Sequence, residues 1–328
     1  MQVSDSTIKK VGFLLIEGYA LMSLSSAVEP LRAANLLSDN LLYEMRFISP
    51  DGGETSSSIM SMFKTEAINQ TDLDFDLMFV VAGGNPLLFD DKETFSYLRK
   101  LAANGLKLGG ISGGSALLVK AGVMQDRRFT IHWQHYEAIL ESYPIALMER
   151  SLYVIDRDRF TCAGGISPLD MMFAIIASHH GSEFAHKISD WFIHTSIRTH
   201  DAPQRVGLDQ QYNIQNPTLL SAIDLMISHI ADPLDLKQIA HLVNISPRQL
   251  QRLFEQKGGK SFSGFYRDIR LEKAKELLTQ SPVSISDIAI ATGFTNFSHF
   301  SRVYKDYFGK PPSEERTPSD IPVITTTN

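Results

Sequence analysis

The residues of the N-terminal two-thirds best suited to chemistry lie in Lys107-Leu-Gly-Gly-Ile-Ser112-Gly-Gly-Ser-Ala-Leu-Leu118. An apolar, strand-like run passes through a sharp glycine turn into a helix. This is the layout of a nucleophile elbow, in which a strained turn lifts one side chain above a helix N-terminus. Gly110-Ile-Ser112-Gly-Gly114 satisfies the G-x-S-x-G spacing of a serine hydrolase. Such an enzyme needs an acid and then a histidine later in the chain, and Asp170 with His179 or His180 supplies that order. Those three residues, however, share the helical pattern Ser167-Pro-Leu-Asp-Met-Met-Phe-Ala-Ile-Ile-Ala-Ser-His-His180. There Asp170 reads as a first-turn charge and the histidines as partners of the C-terminal dipole.

A second set of polar side chains stands at helical spacing near the C-terminus. Ser246-Pro247-Arg-Gln249 opens a helix as a capping box with proline at its first position. Leu250, Leu253 and Phe254 fill one face of it, and Arg248, Gln251 and Arg252 the other. Before it, Leu236, Ile239, Ala240 and Val243 form a shorter apolar face, followed by a turn at Asn244-Ile245. The pattern returns 49 residues on, with Ile285, Ile288 and Ala289 on one face, Gly293 at the turn and Phe294 after it. Past the turn the offset is 50, pairing Leu250 with Phe300, Arg252 with Arg302, Leu253 with Val303 and Phe254 with Tyr304. Asn296, Ser298, His299, Arg302 and Lys305 then face outward. This is a duplicated helix-turn-helix, whose second helices carry long hydrogen-bonding side chains of the kind that read guanine and adenine edges in a major groove.

Around these positions the chain changes character. In the first part, Val11 to Ile16, Met45 to Ser49, Leu77 to Ala82 and Leu106 to Ser112 read as buried strands. Leu24 to Leu37 and Thr94 to Asn104 read as helices, so the order β-α-β-β-α-β-α predicts an α/β domain with a parallel sheet over residues 8–200. A polar stretch bracketed by prolines predicts a linker at 201–216. Residues 217–316 show helical patterns almost throughout, and 317–328 read as a flexible tail.

The chain's 328 residues suit two cores, and its composition, 43% hydrophobic and 21% charged, excludes a mostly disordered or fibrous protein. Net charge is −6, which argues against indiscriminate polyanion binding over the whole surface. From Ile214 to Arg316, however, thirteen basic residues face eleven acidic ones, and between Arg248 and Lys275 eight face three. A single cysteine, Cys162, excludes an internal disulfide and a thiolate metal cluster, and it reads as an inert buried residue. Neither a signal-like h-region nor an apolar run of roughly 18 residues is present. A cytoplasmic protein without membrane contact is expected.

Ser246-Pro-Arg-Gln-Leu-Gln-Arg-Leu-Phe254, Arg270-Leu-Glu-Lys-Ala-Lys-Glu-Leu-Leu278, Ile285-Ser-Asp-Ile-Ala289, Gly293-Phe294, Ser298-His-Phe-Ser-Arg302 and Tyr307-Phe-Gly-Lys-Pro-Pro312 resemble the DNA-binding domain of AraC-type transcription regulators. The resemblance implies that Arg270 to Leu278 belong to a helix joining two helix-turn-helix units, and that the outward residues named above face bases. Upstream, Ala27-Val-Glu-Pro-Leu-Arg-Ala-Ala-Asn35, Val80-Val-Ala-Gly-Gly84, the elbow, Thr130-Ile-His-Trp133 and Phe160-Thr-Cys-Ala-Gly-Gly165 resemble the class I glutamine amidotransferase-like, PfpI-type domains. That resemblance implies a flavodoxin-like sandwich preceding the all-α domain. Enzymatic relatives carry cysteine at the elbow, often followed by histidine, where this chain has Ser112 and Gly113. A serine without an adjacent base is not activated, so no catalytic residue, cofactor or metal is expected.

What the turn keeps is backbone N–H groups able to hold a small anion. Ser112 and Gly113 are therefore candidate ligand contacts, with Glu17, Glu29, His132 and Trp133 as candidate walls. The resemblance extends to regulators of glycine betaine, carnitine and arginine catabolism. It implies a metabolite-responsive regulator, an activator and homodimer, whose partners are a double-stranded DNA operator, a small-molecule effector and RNA polymerase. A zwitterion with a methylated ammonium would pair its carboxylate with the amides and its cation with Trp133 and Glu29 or Glu17. The alternative reading is a serine-nucleophile amidase or hydrolase-like enzyme fused to a DNA-binding domain.

Overall fold

In the computed structural model, which describes residues 8–205, 207–280 and 283–315, the chain divides into two compact units between Arg205 and Val206. The first opens with β1 (Lys9–Leu15), α1 (Leu21–Leu37) and β2 (Tyr43–Ser49), followed by β3 (Gly53–Ser56), β4 (Met62–Ala67) and β5 (Leu77–Ala82). Then come α2 (Lys92–Ala103), β6 (Lys107–Ser112), α3 (Gly114–Lys120), α4 (Tyr136–Ser142), β7 (Tyr153–Asp156), β8 (Arg159–Cys162), α5 (Ser167–His180) and α6 (Ser182–Trp191).

These strands form one eight-stranded sheet in the order β3-β4-β2-β1-β5-β6-β8-β7. Neighbours from β4 to β8 run parallel, but β3 and β7 pair antiparallel with β4 and β8. The expected parallel sheet thus forms the centre, while the hairpins at its edges lay outside the sequence reading. β3, β4 and β7 are largely exposed or partly buried, with polar runs such as Gly-Glu-Thr-Ser, and β8, though mostly buried, is only Arg-Phe-Thr-Cys, so none carries the continuous apolar signature of a buried strand.

Alternation along the central strands builds two cores. Val11, Phe13 and Leu15 of β1 with Leu77, Phe79 and Val81 of β5 pack under α1, α5 and α6. Leu14 with Met78, Val80 and Ala82 packs under α2 and α3 on the other face. The result is a three-layer α/β/α sandwich. Helix α1 runs through Pro30, which is buried within it.

The second unit is helical: α7 (Leu208–Gln211), α8 (Pro217–Ser228), α9 (Leu236–Leu242), α10 (Pro247–Lys257), α11 (Phe262–Gln280), α12 (Ile285–Ala291), α13 (Phe297–Phe308) and α14 (Pro312–Glu315). It has two small cores joined by α11. Phe262, Phe265, Tyr266 and Ile269 pack with α8, α9 and α10, while Leu271, Ala274 and Leu278 pack with α12 and α13.

The segment 201–216 does not behave as a free linker. Gln204 and Arg205 pack on the first unit, whereas Leu208 and Tyr212 lie against the second unit's core, in which Ile214 is buried. Three apolar anchors among polar neighbours were too sparse to register as periodicity. The tail expected at 317–328 lies outside the described residues.

Candidate effector site and nucleic-acid interface

β6 ends in a strained turn. Ser112 holds φ +56, a left-handed conformation that non-glycine residues rarely adopt and that marks functional turns. The glycines around it are required by space. A Cβ on Gly114 would sit 1.9 Å from the Val80 carbonyl oxygen, and one on Gly110 would sit 2.6 Å from the Ser115 backbone. α3 can therefore leave the sheet at once, as the spacing predicts.

Other strand ends converge here. Gly164 lies so close to Ser112 that a Cβ would approach its Oγ to 2.8 Å, and the Gly165 N–H donates to Ser23 Oγ at 2.8 Å. Gly83 packs against the Gly18 carbonyl, and Pro86 against Gly113. The C-terminal ends of β1, β5, β6 and β8 thus share one edge, where open α/β sheets hold their ligands. Ser112 is 8% exposed at this edge.

The expected wall residues fare differently. The Gly113 N–H is spent on the Ala82 carbonyl at 3.1 Å, so it does not point free toward an anion. Glu17 is exposed beyond β1 and accepts from the Ser56 N–H at 3.1 Å. Glu29 is not brought to the elbow: it accepts from Arg32 at 2.6 and 2.8 Å, six residues or roughly 9 Å along α1 from Ser23. Its plainer role, a surface ion pair, is the one it plays. His132 Nδ1 accepts from the Gln134 N–H at 3.3 Å and caps the turn Trp133–His135, and burial lowers its pKa.

Trp133 already has a cation over its ring, the Arg205 guanidinium 4.3 Å from the centroid. Beside it, Gln204 Nε2 lies within 2.7 to 3.0 Å of Thr130 Oγ1 and the carbonyls of Ile131 and Ser151. Ser23, Gly164, Gln204 and Arg205 were missed by sequence reasoning. They come from distant segments, and only Gly164-Gly165, a glycine pair after a strand, carried a local signal.

The hydrolase order does not assemble. Asp170, fully buried, accepts from the Arg198 N–H at 2.8 Å and from its guanidinium at 2.6 and 3.0 Å. His179 sits at the other end of α5, roughly 14 Å along the helix, hydrogen-bonded through Nδ1 to the Tyr43 hydroxyl at 3.0 Å. Asp170 is thus more than a first-turn charge: it anchors the segment that follows α6. Cys162 is buried and its thiol is pushed up to about 12 by burial, which leaves it an inert thiol.

In the second unit the two repeats close alike. Asn244 with φ +56 and Gly293 with φ +75 make the two turns, 49 residues apart. Ser246 and Gln249 form the expected capping box on α10. Arg248, Arg252, Ser298, His299, Arg302 and Lys305 are exposed on α10 and α13, while Leu250, Phe254, Phe300 and Tyr304 are buried beneath them. Two residues are partly committed: Asn296 caps α13 by accepting from the His299 N–H at 2.9 Å, and Gln251 donates to Glu255 at 2.6 Å. Arg270 ties the linking helix to the second turn, donating to the Thr292 carbonyl at 2.8 Å and lying 4.0 Å over Phe294.

Residues 9–178 match the DJ-1/PfpI family and residues 239–317 a helix-turn-helix domain. The chain is 41% identical to the HTH-type transcriptional regulator GlxA of Rhizobium meliloti, over 95% of this chain and 97% of that one. It is 37% identical to the HTH-type transcriptional regulator GbdR of Pseudomonas aeruginosa, over 96% and 87% of the two chains. Among solved structures, an AraC family transcriptional regulator from Pseudomonas putida superposes on 56% of this chain and 99% of its own, with a TM-score of 0.51 at 24% identity, a likeness of fold. The chain belongs to the HTH-type transcriptional regulators that join a DJ-1/PfpI domain to an AraC-type helix-turn-helix domain.

Proposed function

We propose that this regulator binds its operator through α10 and α13, and that the strand-end edge around Ser112 holds a small effector without turning it over. The observation carrying this reading is the pair of matched turns, Asn244 and Gly293, each followed by a helix with a buried aromatic-aliphatic face and an exposed face bearing arginine. Two helices so built are suited to successive major grooves, with Arg252 and Arg302 on base edges and Arg248, Gln251, Asn296, Ser298 and His299 beside them. Lys305 faces phosphate. The protein works in the cytoplasm as a homodimer that activates transcription through RNA polymerase.

The effector class that suits the first unit is a quaternary amine or amino acid. Trp133 supports it, because a ring that attracts the Arg205 guanidinium to 4.3 Å can attract an ammonium group, which would displace Arg205 from that face. Gly113, its N–H taken, contributes close packing at the elbow, with the largely buried Ser112 hydroxyl beside it.

The test is operator binding by the full chain. Arg252→Ala and Arg302→Ala each cost about 1–3 kcal/mol against the cognate site and relax selectivity at the bases they face. Lys305→Ala weakens all sequences equally and lowers the slope of log affinity against log salt by about 0.9. Uniform loss in the arginine variants overturns the base-reading assignment. On the effector side, a saturable thermal shift with glycine betaine, carnitine, dimethylglycine or arginine supports the sensor. Consumption of any of them that is abolished in Ser112→Ala restores the enzyme reading.

A further inference from the structure

The sheet has a second usable end. Ser112 closes the C-terminal end of β6, and five residues back, roughly 17 Å away, Lys107 begins it. There the first residues of β1, β5 and β6 frame a cavity of about 290 Å³ beneath α1 and α5. Its floor is apolar, made by Val11, Phe79, Phe160, Met172 and Ile175. Its rim is not.

The rim charges do not cancel. Asp76 faces Lys9 at 3.8 Å and accepts from the Lys10 N–H at 2.8 Å, so Lys9 and Asp76 offset one another. Lys107 is exposed and enters no ion pair among the described residues. Across from it, His179 holds the Tyr43 hydroxyl at 3.0 Å, and both line the cavity. Partial burial, helped by His180, Lys9 and Lys107, holds His179 below its ordinary value, so the imidazole stays neutral and one positive charge is left over. A pocket with an apolar floor and one uncompensated ammonium at its mouth complements an apolar body carrying one negative charge.

We propose that this end of the sheet is a second small-molecule site, for a monocarboxylate with a compact aromatic or branched body, its carboxylate on Lys107 and its body on the floor between Phe79 and Met172. The cavity has room for roughly ten non-hydrogen atoms. The site shares no residue with the Ser112 edge, so either assignment can fail while the other stands.

Phenylacetate, of matching size, is the probe. The full chain, with methionine methyl groups isotope-labelled and the Met172 resonance assigned through Met172→Leu, is titrated and followed by NMR. The expected result is a saturable shift of Met172 whose dissociation constant weakens about tenfold in Lys107→Gln. That substitution lies on the exposed rim and leaves the core intact. Absence of a saturable Met172 shift up to about 10 mM overturns the site. So does equal affinity in Lys107→Gln, or equal binding of phenylacetamide or 2-phenylethylamine, since either would show that the mouth does not select a negative charge.

Discussion

At Ser112 the backbone is strained, and the strain is held by neighbours that leave no room for a side chain. Gly114 is the sharpest case, with a Cβ position 1.9 Å from the Val80 carbonyl. Gly114→Ala must push the start of α3 away from β5, and we expect a loss of about 3 kcal/mol or more in urea unfolding read by tryptophan fluorescence. Both tryptophans, Trp133 and Trp191, lie in the first unit, so that signal reports on it alone. His135 sets a pH limit on the same unit. Burial, with the nearby His132, lowers it from 6.5 to about 4, so the unfolded chain binds this proton more readily than the folded one. Its contribution is constant above about pH 6.5, and stability falls as pH drops from there to about 4, by roughly 3 kcal/mol in all. Unfolding measured across that range should fall less steeply in His135→Gln, and an unchanged slope would remove His135 from the account.

At the level of elements, the recurring device is a cap followed by a face. α10 begins at Ser246, whose Oγ accepts from the Gln249 N–H at 3.3 Å while Gln249 Oε1 accepts from the Ser246 N–H at 2.9 Å. Ser246→Ala removes the hydroxyl half of the box, leaving the backbone N–H at 246 still donating to Gln249, and should cost about 1 kcal/mol, read by far-UV circular dichroism in urea. Operator affinity should fall with it, because α10 frays from the end that carries Arg248. This element was fully legible in the sequence: Ser-Pro-x-Gln specifies a helix start from four adjacent residues. The hairpins β3/β4 and β7/β8 were not, because the edge strands β3 and β7 each bury one residue in four, and the short polar strands beside them are defined by their partners.

Across the whole molecule, each unit buries its own apolar residues, two cores in the sheet domain and two in the helical one. The chain leaving the sheet domain is fastened at Asp170 by Arg198 and at Thr130, Ile131 and Ser151 by Gln204. Asp170→Asn weakens the buried pairing with Arg198 and should lower the first unit's stability by about 3 kcal/mol. The tryptophan-detected transition should then move to lower urea while the helical unit's transition by circular dichroism stays in place. A shift of both together would mean that the two units unfold as one.

The two-part organisation, the duplicated helix-turn-helix and the elbow were written in local order. Periodicity, capping residues and a glycine turn act over a few neighbours, so sequence alone decides them. The order of strands, the meeting of Ser23 and Gly164 at Ser112, and the division of 201–216 between the two units were decided only by the tertiary structure. So was the cover of Arg205 on Trp133. Each depends on which segments lie side by side once the sheet has closed. Residues tens to over a hundred positions apart meet there, and neither spacing nor composition records that meeting.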